Sequence, residues 1–346
     1  MSPQTSLPVV PFGTTGMDIT RVGFGAWAVG GGGWRLGWGN QEDMESIATI
    51  RHAVESGVNW VDTAPVYGRG RSEEVVGLAL RDYSDADRPY VFTKCGLIFD
   101  VNDDEAGPSN VMAADSVRRE VEDSLRRLQV ERIDLYQVHW PPEDGTPLED
   151  YWATMVDLVQ AGKVRAIGLS NHDVKQLETA EAIGHVGSLQ PPFSMIHREA
   201  ADDVIPWCAE HDTGVIVYSP MQSGLLTGAM TEERLASMPD DDWRRDHEDF
   251  TGDNLKRNLA LADALRPVAD RHGVETGAIA VAWTLTWPGV TGAIVGARRA
   301  DQVDGWLPAA TLELSEGDRE ELSTAITTTG AGAGPTSPRS TSTQLG

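Results

Sequence analysis

The chain has 346 residues, of which 40% are hydrophobic and 23% charged, and its formal net charge is −25. No apolar run approaches the roughly 20 residues that a membrane span needs, and the N-terminus has neither the basic region nor the apolar core of a signal peptide, so we expect a soluble, cytoplasmic protein. The negative charge repels nucleic acid and anionic membranes, which excludes both as general partners, and two cysteines, Cys95 and Cys208, fit a reducing compartment best.

Short apolar segments alternate with segments of helical periodicity along most of the chain. A weakly alternating stretch over 9–20 predicts a β-hairpin, and strands are then predicted at 21–25, 58–62, 90–94, 133–138, 164–169, 188–190, 214–218 and 292–295. Helices are predicted at 41–56, 72–82, 115–128, 148–161, 173–183, 200–210, 253–272, 277–287, 300–306 and 314–326. Ser72 is the expected N-cap of the second of these helices.

This alternation predicts an α/β protein whose eight strands close into a (β/α)8 TIM barrel, with an N-terminal β-hairpin and extra C-terminal helices. The competing architecture is a doubly wound open sheet, which would normally carry a glycine-rich nucleotide turn after its first strand. The glycines at 30–33 lack the G-x-G-x-x-G spacing and do not open directly into a helix, so we interpret this loop as a flexible substrate loop.

The barrel domain is expected to span residues 1–326. The stretch over 327–346 consists of Gly, Ser, Thr and Pro with almost no apolar residues. Because such a composition buries little surface, we expect a disordered tail there.

Four chemically active residues stand at the ends of three consecutive predicted strands, which in a barrel share one mouth. Asp62 ends the second strand, Tyr67 follows it, Lys94 ends the third strand and His139 follows the fourth. Lys94 is one of only four lysines and closes an apolar strand, so it needs a counter-charge, which Asp62 can supply. A cation beside Tyr67 favours phenolate and is expected to lower the phenol's pKa from about 10 towards neutrality.

Taken singly, each of these residues is more often structural than catalytic. Together they suit the polarisation of a carbonyl while hydride arrives from a nicotinamide cofactor. The phenol would donate a proton to the oxygen as it becomes an alkoxide, and His139 would orient that oxygen. A metal-dependent barrel hydrolase would need clustered His and Asp ligands, and Lys94 would oppose a cation, so no metal site is predicted.

Six motifs follow one another along the chain: Gly-Val-Asn-Trp-Val-Asp-Thr-Ala-Pro-Val-Tyr-Gly at 57–68, Phe-Thr-Lys at 92–94, Asp-Leu-Tyr-Gln-Val-His at 134–139, Ile-Gly-Leu-Ser-Asn at 167–171, Tyr-Ser-Pro at 218–220 and Gly-Leu-Leu-Thr-Gly at 224–228. In this order they closely resemble the motifs of the aldo-keto reductase family. The resemblance, which covers residues 11–322, implies a barrel that uses NAD(P)H to reduce aldehydes or ketones, or runs the reverse reaction. It implies Tyr67 as general acid/base, Lys94 and Asp62 as its tuning pair, and His139 as the group that orients the carbonyl.

The resemblance also implies a nicotinamide-nucleotide site. The ring would be bordered, stacked upon or held through its carboxamide by Gly25, Ala26, Trp27, Asp62, Ser170, Asn171, Gln190 and Tyr218. The pyrophosphate loop would comprise Ser219, Pro220, Met221, Gln222, Gly224 and Leu226. The adenosine end would contact Gly296, Ala297, Arg298 and Gln302. The family often has Asn or Glu where this chain has Trp306, which would either stack on the base or pack.

Arg298 offers a fork of donors for a 2′-phosphate, which favours NADP(H) over NAD(H). The alternative is that Arg298 and Arg299 form surface pairs with Asp301 or Asp304.

Aromatic residues surround the predicted mouth and suit a hydrophobic or sugar-like carbonyl or alcohol substrate. The expected substrate contacts are Trp27, Tyr67, His139 and Trp140, with Trp34, Trp38 and Phe193 beside them. The loops over 97–111 and 231–251 are candidate lids.

A function of a different class is also open: a regulatory subunit that binds nicotinamide nucleotide, resembling the β subunits of potassium channels. The scarcity of lysine beside many acids is typical of a protein from a high-salt cytoplasm, the alternative being an ordinary acidic protein. An acidic surface disfavours self-association at low salt, but it leaves the oligomeric state open.

Overall fold

A short hairpin packs against one end of the barrel. The computed structural model describes residues 7–32, 37, 39, 41–99, 107–240 and 242–338, and within them β1 (Val9–Pro11) pairs antiparallel with β2 (Asp18–Thr20). Phe12 and Ile19 are fully buried and belong to the same cluster as Trp60 and Phe92 inside the barrel. The hairpin predicted over 9–20 is therefore present, and its apolar residues fill one end of the barrel interior.

The remaining strands, in chain order, are β3 (Val22–Gly25), β4 (Trp60–Asp62), β5 (Tyr90–Cys95), β6 (Leu97–Ile98), β7 (Ser109–Asn110), β8 (Ile133–Val138), β9 (Val164–Ser170), β10 (Ser188–Gln190), β11 (Gly214–Val217) and β12 (Val290–Gly296). Eight of them close into a parallel barrel in the order β3-β4-β5-β8-β9-β10-β11-β12, with β12 pairing to β3. β6 and β7 form a separate antiparallel hairpin. The predicted (β/α)8 barrel is thus confirmed.

Side chains of each barrel strand alternate between the interior and the surrounding helices. Trp60 and Phe92 lie in the interior cluster, whereas Val61 lies in the outer core against the helices. Asp62 and Lys94 come two residues after Trp60 and Phe92. The same alternation therefore directs both charged side chains into the barrel at the carboxyl ends of the strands.

The helices described are α1 (Asp43–Glu55), α2 (Arg71–Leu80), α3 (Ala114–Leu128), α4 (Leu148–Gln160), α5 (Val174–Glu181), α6 (Val204–Glu210), α7 (Glu232–Ala236), α8 (Gly252–His272), α9 (Thr276–Leu285), α10 (Ala300–Trp306) and α11 (Glu316–Thr329). Local signals set several of their ends: Asp173 and Ser315 begin α5 and α11 with capping boxes, and Gly273 ends α8 in a left-handed conformation. None of the helices in the described ranges is long and apolar enough to cross a membrane.

The predicted N-cap of α2 is wrong. Gly70, with a φ of +96°, occupies that position, and Ser72 lies within the first turn of the helix. The Ser72 hydroxyl is buried and donates to the carbonyl of Ala26 at 2.8 Å, and it lies 2.8 Å from the hydroxyl of Thr63. Ser72 therefore joins the start of α2 to the ends of two barrel strands.

The structure describes the first part of the stretch 327–346, for which a disordered tail is predicted. Residues 330–338 follow α11 back along the segment around Arg198, whose side chain donates to the carbonyls of Ala331 at 3.1 Å and Gly334 at 3.2 Å. The Ala333 N–H donates to the carbonyl of Ile196, and the Ala333 carbonyl accepts from the backbone N–H of Arg198. All of these contacts are polar, and an expectation of disorder that rests on apolar content alone does not take them into account. The remainder of the predicted tail, 339–346, lies outside the described residues.

Two glycines give a matched test of this docking. Gly330 and Gly332 have φ values of +65° and +63°, so alanine costs similar backbone strain at both, about 1–2 kcal/mol. A Cβ on Gly332 would overlap the backbone of Ile196, whereas one on Gly330 would meet nothing nearer than Arg257 at 3.5 Å. We expect Gly332→Ala to lower the urea midpoint of unfolding clearly more than Gly330→Ala. Equal midpoints would contradict the docking.

Candidate active site

Lys94 is completely buried at the carboxyl end of β5. Its ammonium group lies 2.5 Å from Oδ1 of Asp62, 2.9 Å from the carbonyl of Thr63 and 3.3 Å from the phenol oxygen of Tyr67. Each of its three protons thereby has an acceptor. Burial works against the charge, but Asp62 and then Tyr67 outweigh it and hold the pKa of Lys94 above its ordinary value. Lys94 is therefore a cation in a fully buried site.

The pKa of Tyr67 is raised above its ordinary value, which corrects the expectation of a phenol tuned towards neutrality. Burial of the phenol is the largest cause, Lys94 opposes it, and the carboxylate of Asp62 adds to the increase. The expected decrease of the pKa rests on the cation alone. The phenol is only 6% exposed, and the loss of surrounding water disfavours its charged form. Tyr67 is thus a protonated acid at neutral pH, placed beside a cation that would stabilise its conjugate base.

His139 lies against this group as a neutral imidazole. Its ring meets the Tyr67 ring edge to face with the centroids 5.8 Å apart, and its backbone N–H donates to the carbonyl of Cys95 at 3.0 Å. Burial first, and the charge of Lys94 second, lower the pKa of His139 well below 6.5. The four predicted catalytic residues are therefore brought together at one mouth of the barrel.

Sequence reasoning missed Gln137, which is fully buried at this mouth. Asp62 gives one carboxylate oxygen to Lys94, and its other oxygen lies 2.9 Å from Nε2 of Gln190 and 3.4 Å from Nε2 of Gln137. The two glutamines also contact each other, with Nε2 of Gln190 3.2 Å from Oε1 of Gln137. The available signal was the position of Gln137 two residues before His139 on the same strand.

The residues predicted to hold the carboxamide form one hydrogen-bonded group. The Ser170 hydroxyl donates to the carbonyl of Gln190 at 2.8 Å, and Asn171 has a left-handed backbone with a φ of +62°. The Asn171 amide donates to the carbonyl of His139 at 3.0 Å and accepts from the phenol of Tyr218 at 2.8 Å. Asn171 thus links Tyr218, the expected ring-stacking residue, to His139 at the end of β8.

The predicted pyrophosphate loop follows β11 with an unusual backbone. Ser219, Gln222, Ser223 and Gly224 all have positive φ, between +45° and +97°. Successive residues of this kind turn backbone N–H groups into a concave nest that suits an anion. The geometry therefore fits a phosphate group. Leu226 is fully buried in the outer core, so its side chain packs there.

An acid that sequence reasoning missed ties this loop to the insertion over 231–251. Asp249 is 5% exposed, and its Oδ2 lies 2.8 Å from Nε2 of Gln222 and 2.9 Å from Nε2 of His197. The hydrogen bond that His197 donates to the carboxylate of Asp249 raises the pKa of His197 above 6.5 despite its partial burial. The insertion predicted as a lid is thus joined to the predicted pyrophosphate loop by a buried carboxylate.

At the predicted adenosine end, Arg298 and Gln41 bond each other twice. Nε of Arg298 donates to Oε1 of Gln41 at 2.7 Å, and Nε2 of Gln41 donates to the Arg298 carbonyl at 2.9 Å. The side chain of Gln302 accepts from the backbone N–H of Arg298 at 2.7 Å. Arg299 forms a salt bridge with Asp301, which is one of the surface pairs considered from the sequence. Trp306 is buried in the outer core and packs there. Ala297 is buried beside the exposed end of β12 at Gly296.

Gly25 pairs with Asp62 and Gly296 on its two neighbouring strands, and Ala26 is fully buried next to it. The remaining members of the predicted loop, Pro220 and Met221, lie buried and half-buried between Ser219 and Gln222.

The aromatic mouth contains some of its predicted members. Trp27 stacks on Tyr67 with the centroids 5.4 Å apart, and Trp140 is 45% exposed. Phe193 is a correction, because it is fully buried and stacks on Trp283 with the centroids 5.6 Å apart. Of the proposed lids and loops and the aromatic residues beside them, residues 33, 34, 38, 100–106 and 241 lie outside the described residues.

The comparisons with known proteins agree with the barrel fold. The sequence profile of the Aldo/keto reductase family matches residues 21–326. The chain is 35% identical over 318 residues to Aldo-keto reductase YhdN of Bacillus subtilis (strain 168), covering 91% of this chain and 92% of that one. It is 31% identical over 318 residues to the NADH-specific methylglyoxal reductase of Escherichia coli (strain K12), covering 89% and 95%. The solved structure of glycerol dehydrogenase AKR11B4 from Gluconobacter oxydans matches with a TM-score of 0.83 at 33% identity, covering 95% and 96%.

We expect His139 to remain neutral at pH 6.5, where an ordinary histidine is about half protonated. Nitrogen-15 NMR of histidine-labelled protein, assigned with His139→Gln, reads the protonation state directly. His197 is the internal control, because its raised pKa keeps it protonated to higher pH. In the unfolded chain His139 gains a proton near pH 6.5, whereas in the folded chain it stays neutral. The free energy of unfolding therefore decreases as the pH falls below that value. A midpoint near 6.5 for His139 would overturn this assignment.

Proposed function

The chain belongs to the aldo-keto reductase family, and we propose that it is an NADP(H)-dependent oxidoreductase that converts an aldehyde or ketone to an alcohol, or the reverse. The observation that carries the proposal is the buried contact of Lys94 with both Asp62 and Tyr67. A protonated phenol beside a fixed cation and a neutral imidazole suits proton transfer to a carbonyl oxygen.

A nicotinamide cofactor, when bound, supplies or accepts the hydride. Tyr67 donates its proton to the substrate oxygen as that oxygen gains negative charge, and it recovers the proton in the reverse direction. An alkoxide is more basic than a phenolate, so the raised pKa of Tyr67 does not prevent this transfer. His139 orients the oxygen, because a neutral imidazole can donate a hydrogen bond to it.

Lys94 contributes most when the phenolate forms. A full negative charge on the Tyr67 oxygen, 3.3 Å from the ammonium group, would be attracted by about 5 kcal/mol at an effective dielectric constant of 20. The neutral phenol gains much less from the same cation. The interaction therefore acts on the charge that develops during reaction, which is the condition for it to accelerate the chemical step.

NADP(H) is proposed over NAD(H) because Arg298 places a guanidinium group at the predicted adenosine end of an acidic protein. The NADH-specific Escherichia coli relative argues for NAD(H) instead. Measured affinities for both nucleotides separate the two cofactors.

The names of two relatives supply substrates to test first. Methylglyoxal is a small dicarbonyl compound, and glycerol is a small polyol that tests the oxidative direction. We propose a substrate of this size or a larger one with an apolar or sugar-like group, because Trp27 and Trp140 border the mouth. Tight nucleotide binding without turnover of any carbonyl compound would favour the regulatory-subunit alternative.

A salt-rich cytoplasm is proposed as the setting. The formal charge of −25 repels itself at low ionic strength and is screened at high salt. The free thiols of Cys95 and Cys208 are both buried, which is compatible with a reducing compartment. We therefore expect assays at low and at multimolar salt to differ.

Tyr67→Phe should lower kcat/KM for carbonyl reduction by about 10²–10⁴-fold, because the proton donor is lost. The Kd for nucleotide should change little, since the ring that stacks on Trp27 is retained. Tyr83→Phe removes a phenol at the far end of α2 and should leave both values unchanged. Steady-state kinetics with methylglyoxal and fluorescence titration measure the two quantities. Full activity of Tyr67→Phe would refute its role as acid.

Arg298→Ala should weaken NADPH binding by about 10–100-fold, which is the range expected from loss of one or two hydrogen bonds to a charged phosphate. NADH binding should change little, because NADH carries no 2′-phosphate. Arg299→Ala is the matched control, since Arg299 pairs with Asp301, and it should alter neither affinity. Fluorescence titrations at low and multimolar salt give the dissociation constants of both nucleotides for each protein. Equal wild-type affinity for the two nucleotides would contradict the proposed preference.

A further inference from the structure

Gln137 is a buried amide that the proposed chemistry does not itself use. It ends the interior face of β8, where its backbone pairs in register with Lys94, and its side chain is completely buried. A leucine or methionine could fill such a volume without the cost of burying an amide, which requires hydrogen-bond partners to be tolerated. The presence of an amide therefore points to its polar contacts.

Those contacts fix the side chain of Gln190. The Gln190 amide nitrogen has two protons, and two acceptors lie within reach of it, Oδ2 of Asp62 at 2.9 Å and Oε1 of Gln137 at 3.2 Å. One contact alone would leave the amide plane free to turn about the last side-chain bond. Two contacts in different directions hold that plane. What Gln190 then offers to a ligand is its carbonyl oxygen, which is an acceptor.

Gln137 is itself held in one orientation. Its nitrogen faces the carboxylate oxygen of Asp62 at 3.4 Å, and this places its own oxygen towards Gln190. Asp62 in turn is fixed by Lys94 on its other oxygen. The orientation of Gln190 is therefore set by a chain of contacts that begins at the buried ion pair.

We propose that Gln137 is a positioning residue that makes Gln190 a dedicated hydrogen-bond acceptor for the carboxamide N–H of the nicotinamide ring. This inference rests on the proposed function, since it takes the nicotinamide nucleotide as the ligand. It assigns Gln137 to cofactor recognition through Gln190, without contact with the reacting atoms.

The test compares two probes, NADPH and its 3-acetylpyridine analogue, in which a methyl ketone replaces the carboxamide. The analogue keeps a carbonyl oxygen but has no N–H to donate. Wild-type protein should bind NADPH about 5-fold more tightly than the analogue, the size expected from one net hydrogen bond. Tryptophan fluorescence without substrate measures both dissociation constants, so the readout does not depend on turnover.

Gln137→Leu should weaken NADPH by about 5-fold and leave the analogue unchanged, which removes the preference. Gln137→Glu should restore the preference at low pH, because the introduced carboxyl group can share a proton with Asp62 while its oxygen accepts from Gln190. Gln302→Leu is the matched control at the adenosine end, and it should weaken both probes alike.

Equal weakening of both probes in Gln137→Leu would overturn the inference, because a merely structural role acts on both. An unchanged preference in Gln137→Leu would overturn it as well. If Gln137→Leu does not fold, Gln137→Glu decides, since a preference that is absent at every pH contradicts positioning through Gln190. A wild-type protein that binds neither probe at any salt would instead refute the proposed function, and this inference with it.

Discussion

The buried ion pair between Lys94 and Asp62 is the interaction on which the site depends. Removing two charges from water costs several kcal/mol per ion, and a buried pair is often no more stable than apolar residues of the same volume. Stability alone therefore does not explain why a closed barrel contains it. The pair acts on the neighbouring groups: it keeps a cation beside Tyr67, adds the charge of Lys94 to the burial that lowers the pKa of His139, and fixes the amides of Gln137 and Gln190.

The barrel strands and the helices around them hold this ion pair in one geometry. Strand alternation directs Lys94 inwards and its neighbour Thr93 outwards, where the Thr93 hydroxyl donates to Glu73 on α2 at 2.6 Å. Glu73 is fully buried and also accepts from Arg127 on α3 at 2.6 Å. The strand that carries Lys94 is thus held on both faces by charged, hydrogen-bonded groups. Such a support restricts the lysine to one geometry without any contact with a ligand.

The fold could be predicted from the sequence because strand-forming runs such as 133–138 alternate with helices at regular intervals, and each run is short and apolar. Asp62, Tyr67, Lys94 and His139 could be found because parallel strands end at one mouth. Gln137 and Asp249 could not, since the first looks like one more strand residue and the second lies in an acidic insertion. The pKa of Tyr67 was predicted in the wrong direction, because desolvation depends on packing that no linear motif encodes.

The most direct test of the role of Lys94 is the titration of Tyr67 by carbon-13 NMR of tyrosine labelled at Cζ, with Tyr67→Phe for assignment. We expect the phenol to titrate with a midpoint above pH 10, and we expect Lys94→Met to move this midpoint higher still, because the opposing cation is gone. A midpoint below pH 10, or one that Lys94→Met leaves unchanged, would contradict the claim that a buried cation supports a protonated phenol.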